Sequence, residues 1–137
     1  VAEGVEIACI PSAHEELKVN VRGEHHFLGY VVRFGDATLY HSGDCVPYDG
    51  FAERLAGFGI DAAFLPVNGR DAHRRERGVP GNMDADEALA LCRTVGIPRL
   101  VAHHFGMFAF NTTDVNRLRA RLELDESVEG VVPDVHH

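Results

Sequence analysis

The stretch LYHSGDCVPYDGF, residues 39–51, decides how the chain folds. An apolar run stops abruptly at His-Ser-Gly-Asp, and a Pro-containing turn then leads into apolar residues at helical spacing. Phe51, Leu55 and Phe58 share one side of a helix expected over 49–58, which Gly57 and Gly59 can close. A strand that passes through a tight turn into a helix is the building unit of an α/β layer structure. A second stretch, LVAHHFGMF at 100–108, repeats the pattern and ends its strand on two adjacent histidines.

Working outward, residues 5–13 read as a strand ending near Pro11. Residues 29–34 and 38–40 flank Gly35-Asp36, a hairpin-type turn. The largely apolar run at 60–67 suits a strand buried on both faces. Residues 70–82 are polar, contain Gly and Pro, and read as a loop. Asp84 and Glu87 form a capping-box pair at the start of a helix that carries Ala88, Leu91, Cys92 and Val95 on one face. Gly96 and Pro98 end it. A short strand follows at 99–102, then a helix at 113–122 with a Thr cap and Val115, Leu118 and Leu122 on one side. The tail from Ser127 can add an edge strand. The expected order is β-β-β-α-β-α-β-α, in one domain over 1–137 without repeat or linker.

Composition bounds the function. The 137 residues are 45% hydrophobic and 25% charged, the balance of a globular chain able to bury a core. The longest apolar runs are strand-sized, so no membrane partner is expected, and the expected location is cytoplasmic. Cys9, Cys45 and Cys92 show no CxxC spacing, which argues against a disulfide framework or zinc ribbon. A formal net charge of −8 disfavours a broad phosphate-backbone surface. Arg70, Arg74, Arg75 and Arg77 cluster, but Asp71 and Glu76 interrupt them, and a solvated loop is the plainer reading. Nine histidines are many for this length and point towards metal or acid/base chemistry. Strand-like residues begin almost at Val1, so the expectation is a piece from the middle of a longer protein.

His14, Asp44 and the pair His103-His104 each follow an apolar strand. A lone histidine at a strand end, or an aspartate after glycine, is ordinarily a surface or turn residue. Three such groups at successive strand ends favour a shared site, because imidazole and carboxylate are ordinary ligands for Zn²⁺, Mn²⁺ or Fe²⁺. Gly43 suits a tight turn in which the backbone approaches something closely.

The segments TLYHSGDCVPYDGF, IDAAFLPVNGRD, GNMDADEALAL and VAHHFGMF resemble the C-terminal half of the metallo-β-lactamase superfamily, in the branch similar to L-ascorbate-6-phosphate lactonase. The resemblance implies one half of an αββα sandwich. It implies one or two divalent metal ions, Zn²⁺ or Mn²⁺ with Fe²⁺ as an alternative, held by His14, Asp44 and one of the final pair. The superfamily's His is usually followed by an aromatic residue and Gly, which favours His104 of His104-Phe105-Gly106. Side-chain alternation would let only one of the pair face the site if the strand ran through both. His103 then orients a ligand, contacts substrate or packs on the other face. The implied reaction is attack of a metal-activated water on a lactone or small ester, with Asp44 bridging the metals and handling a proton.

Around these, Asn68 and Arg70 are candidate substrate contacts, Arg70 as an anion anchor. His41 is a candidate partner of a ligand, with a plain structural role slightly ahead. Glu15 is a candidate proton relay. His25, His26 and His73 read as ordinary loop histidines. Asn111-Thr112-Thr113 reads as helix capping rather than a glycosylation acceptor.

One departure is central. The superfamily's His-x-His-x-Asp-His run, from the N-terminal half, is absent, and no His-x-His occurs anywhere in the chain. The expectation is an incomplete site whose partner is the other half of the sandwich or another copy of the chain, with an oligomer expected and catalysis by this chain alone incomplete. Two other functions remain: a nuclease of the same fold, disfavoured by the acidic balance, and a non-catalytic half domain that mediates assembly.

Overall fold

The computed structural model describes residues 4–134. Six strands form one sheet in the order of the chain: β1 (Val5–Pro11), β2 (Leu28–Phe34), β3 (Ala37–His41), β4 (Ala62–Pro66), β5 (Arg99–His103) and β6 (Glu129–Val131). β1, β2 and β3 pair antiparallel, and β3 to β6 pair parallel. β1, β3, β4, β5 and β6 therefore run the same way, so their C-terminal ends share one edge of the sheet. The helices are α1 (Phe51–Leu55), α2 (Ala72–Glu76), α3 (Ala85–Val95) and α4 (Val115–Glu123).

Strand alternation splits the sheet into two unlike faces. Ile10, Val31, Tyr40, Leu65, Leu100 and Ala102 are buried in one cluster with Leu55, Leu89, Cys92, Leu118 and Leu122 of the helices. The opposite face carries Ile7, Leu28, Tyr30 and Phe34, which are 37–50% exposed, with His41, Phe64, Val101 and His103 continuing it by register. The helices thus cover one face and leave an apolar face open.

Most elements fall where the sequence places them. The capping box of α3 is formed in full, with Asp84 accepting from the Glu87 backbone N–H and Glu87 reaching back to that of Asp84. Glu129–Val131 is the expected edge strand. Four details differ. The stretch read as a loop contains α2, nucleated by Asp71, whose carboxylate accepts from the Arg74 N–H; His73 therefore sits on a helix. α1 is only five residues long, because its C-cap, Ala56, is already extended ahead of Gly57. α4 is capped by Asp114 rather than a threonine, its carboxylate accepting from the N–H groups of Asn116 and Arg117. The histidine and aspartate positions follow β1, β3 and β5, which alternate in the sheet rather than neighbour one another. His136 and His137 lie outside the described residues. Among the described residues no helix is long and apolar enough to cross a membrane.

Candidate metal centre

β3 delivers Asp44 through a turn that its own sequence builds. Gly43 has φ +64°, a left-handed conformation that glycine adopts without steric cost. Its N–H donates to His41 Nδ1 at 3.0 Å. Ser12, buried at the end of β1, reaches across with its hydroxyl to the carbonyls of Ser42 at 2.9 Å and Asp44 at 3.0 Å. On the far side the buried amide oxygen of Asn82 accepts from the Cys45 N–H at 2.9 Å. The Val46 N–H donates to the Ala13 carbonyl at 2.8 Å, pinning the Asp44 turn to the segment that carries His14.

The result is convergence on one carboxylate. His14 Nε2 lies 3.8 Å from Asp44 Oδ2, and His104 Nε2 lies 3.2 Å from Oδ1. All three side chains are partly exposed, at 23–39%. The edge of Phe27 packs against the His14 ring at 5.3 Å between centroids. Each imidazole addresses a different oxygen of Asp44, and imidazole with carboxylate is a donor set that suits Zn²⁺, Mn²⁺ or Fe²⁺. Among the described residues no group of three His, Cys, Asp or Glu side chains is drawn closely enough to hold an ion by itself. The donors fit a metal in kind, as a partial set.

The two histidines after β5 part company. The strand ends at His103, and His104 turns into the left-handed region at φ +61°, so simple alternation does not govern the pair. His104 meets Asp44. His103 stacks on His41 at 4.7 Å, and His41 stacks on Phe64 at 5.8 Å, on the open face of the sheet. Burial, with the neighbouring His41 and His104, holds the His103 imidazole down at about 4, and its Nε2 is buried without a partner. His41 is also held below its ordinary value by desolvation, partly offset by Asp44. Both rings are therefore neutral near pH 7.

Arg70 is a strut. Its two terminal nitrogens each donate to a Glu87 carboxylate oxygen at 2.6 Å, and Nη1 also donates to the Asn82 carbonyl at 3.0 Å. Gly81 leaves room for its stem, since a Cβ there would meet Arg70 Cβ at 2.6 Å. Cys45 is buried beside Asp44, and desolvation raises its thiol pKa.

Asn68, at the end of β4, is 3% exposed. Its Nδ2 donates to Asn111 Oδ1 at 2.7 Å, and Arg74 Nη1 donates to the same oxygen at 3.0 Å. Arginine only donates, so it fixes the Asn111 amide and through it the Asn68 amide, leaving Asn68 Oδ1 buried without a partner. Thr112 Oγ1 accepts from the Gly106 N–H at 2.8 Å. The Asn-Thr-Thr stretch thus ties down the loop after His104 instead of capping a helix. Ser12, Asn82, Arg74 and Asn111 carry much of this framework, and none was singled out from the sequence for such a role. Ser12, a lone polar residue between a strand and His14, was the one legible signal.

A model of the beta-lactamase superfamily domain matches residues 1–105. The chain is 23% identical over 135 residues to a UPF0173 metal-dependent hydrolase of Methanosphaerula palustris, covering 94% of this chain and 56% of that protein. In structure it is similar to the metallo hydrolase Igni18 of Ignicoccus hospitalis, with TM-score 0.71 and 19% identity, covering 99% of this chain and 52% of that one. It is also similar to an isothiocyanate hydrolase from Delia radicum gut bacteria, with TM-score 0.73 and 19% identity, covering 98% and 54%. The chain spans about half the length of these relatives. With its mixed sheet and its helices matching this fold, the chain belongs to the metallo-β-lactamase superfamily.

Proposed function

We propose that this chain contributes the C-terminal half of a metal-dependent hydrolase that cleaves a lactone or small ester, in the manner of the branch resembling L-ascorbate-6-phosphate lactonase. The observation that carries the reading is Asp44 placed between His14 and His104, one carboxylate oxygen towards each imidazole. Two imidazoles and a carboxylate converge at the C-terminal edge of a largely parallel sheet, where α/β layers place ligand sites.

His14, Asp44 and His104 would hold one or two divalent ions. A bound ion there supplies Lewis acidity and a water of near-neutral pKa. The chain's own groups supply the rest. Asp44 can take up a proton on whichever oxygen is free. Ser12 and Asn82 keep its backbone from relaxing, so the carboxylate is presented in one orientation. Asn68 Oδ1, fixed without a partner, is an acceptor for a substrate hydroxyl or a water. His103, neutral and stacked on His41, borders the site as a substrate contact or a wall.

The remaining ligands would come from the surface that covers the open apolar face. We assign that surface to the half of the sandwich bearing the His-x-His-x-Asp-His run, in the same longer protein, with a second copy of this chain as the alternative. Ile7, Leu28, Tyr30 and Phe34 support this, since a contiguous exposed apolar face marks an interaction surface.

Elemental analysis of the complete protein, wild type and Asp44→Ala, tests the reading. The expected result is a transition metal in stoichiometric amount, lost in the variant. A complete wild-type protein that carries no such metal after dialysis against Zn²⁺ and Mn²⁺ overturns it.

A further inference from the structure

A second feature lies against the Asp44 turn. A cleft of about 330 Å³ is lined by Glu15, Val46, Pro47, Arg70 and Arg75. Glu15 directly follows His14, Val46 lies two residues after Asp44, and the bond between Val46 and Ala13 locks these two walls together. The cleft is therefore walled in part by residues one and two positions along the chain from His14 and Asp44.

Its two guanidinium groups are in opposite states. Arg70 is saturated by the fork of Glu87 and by the Asn82 carbonyl. Arg75 has only a loose neighbour: its Nε is 4.0 Å from Glu15 Oε1, with the side chains 66% and 46% exposed. Exposed pairs at such a distance contribute little, so the exchange of Glu15 for another anion costs little. Arg74, next in the chain, is no substitute. It is held by Asp71 at 2.6 Å and by the Asn68 carbonyl at 2.9 Å.

Glu15 also has φ +74°, left-handed for a side chain that gains nothing locally from it. A non-glycine residue in this region points to a constraint from its surroundings. Here the turn lets His14 meet Asp44 while Glu15 lines the neighbouring cleft.

We propose that Arg75 is the anion-recognising residue of this site, and that the cleft takes a carboxylate or phosphate group of the substrate in place of Glu15. Arg70, though the more conspicuous residue in sequence, supports the cleft wall through Glu87 and does not bind the anion. The molecule recognised is a small anionic ester or lactone, with its charge anchored at Arg75 and its reacting carbonyl towards Asp44. Calling it a substrate rests on the hydrolase reading; the anion site itself does not.

The test uses the full chain stripped of metal with a chelator and then dialysed at low salt. Inorganic phosphate and acetate are titrated separately, with backbone amide and arginine Nε signals followed by NMR. Saturable shifts at Glu15 and Arg75 are expected with at least one of the two anions, and the responding anion identifies the group. Arg75→Ala should weaken binding by about tenfold, the scale of a lost charge-assisted hydrogen bond. Arg75→Lys should recover part of it as a point charge without the fork. Glu15→Gln should tighten binding by removing the competing carboxylate. Absence of saturable binding by either anion, or equal affinity in wild type and Arg75→Glu, overturns the proposal. Because no metal or turnover is involved, a protein that binds phosphate yet never binds a metal keeps this site and loses the hydrolase reading.

Discussion

The Ser12 hydroxyl sits 2.9 Å from the Ser42 carbonyl oxygen and 3.0 Å from that of Asp44, joining the end of β1 to the turn after β3. One proton is shared between two backbone acceptors at a position that is 2% exposed. Ser12→Ala leaves both carbonyls short of a donor in a buried setting. The expected loss is about 1–3 kcal/mol of stability, the cost of unsatisfied buried groups. Urea denaturation measures it, and a change below 0.5 kcal/mol, within the range of ordinary surface substitutions, would show that water replaces the hydroxyl.

The Tyr40 ring is fully buried, but its hydroxyl finds no hydrogen-bond partner. Gly29 leaves the space it occupies, since a Cβ there would lie 2.8 Å from that oxygen. Removing an unpaired buried polar group relieves a desolvation cost. Tyr40→Phe should therefore raise stability by about 1 kcal/mol, seen as a higher melting temperature. A lower one would show that the hydroxyl is satisfied in solution.

Glu87 predicts a pH dependence. Burial pushes its carboxyl up, but the hydrogen bonds from Arg70 and the Asp84 N–H outweigh this and hold it below its ordinary value of 4.5. A depressed folded-state pKa contributes stability that is present above the unfolded value and is lost as pH falls through the folded one. Wild type should exceed Glu87→Gln in stability at pH 7. The gap should close on acidification from about pH 4.5 downwards, because glutamine keeps the capping-box geometry but not the charge. Denaturant midpoints at several pH values check this; a gap that is flat between pH 7 and pH 3 contradicts it.

At Gly43, with φ +64°, any Cβ is strained. Gly43→Ala should cost about 1–2 kcal/mol, the steric penalty of the left-handed region for other residues. It should also move the Asp44 resonances in an NMR spectrum more than those of α3, which distinguishes a local distortion from general loss of stability.

Tyr30 is 44% exposed on the open sheet face. Tyr30→Lys should leave the monomer's stability within about 0.5 kcal/mol, as for ordinary surface positions. It should weaken association with whatever covers that face, measured by sedimentation velocity in the analytical ultracentrifuge. Unchanged association with a complementary half or second copy would remove Tyr30 from the interface.

Local chemistry made much of the fold legible. Asp84 and Glu87 announce α3 because both partners of the capping box lie three residues apart. The Gly35-Asp36 turn announces the β2–β3 hairpin. α2 escaped because its stretch has no apolar face; one aspartate cap and side chains such as Arg74, bonded to Asn68 and Asn111, stabilise it instead. The sequence ahead of α4 offers threonine as well as Asp114 as a cap; both residue types cap well, and only backbone geometry chooses between neighbours. At the candidate site, His14, Asp44 and His104 could be picked out by type and by their place after apolar strands. The commitment of Arg70 to Glu87, 17 residues away, could not.

By itself the sequence determined the α/β class, the order of the elements other than α2, the acidic balance and the kinds of donor that could meet. These depend on periodicity, caps and composition, which act over a few residues. Tertiary structure alone decided which groups do meet. It set His104 against Asp44 and His103 against His41, made Arg70 a strut while leaving Arg75 loosely held, and left one apolar face uncovered. Each of these depends on strand register and on chain segments far apart in sequence, and register is a property of the assembled sheet.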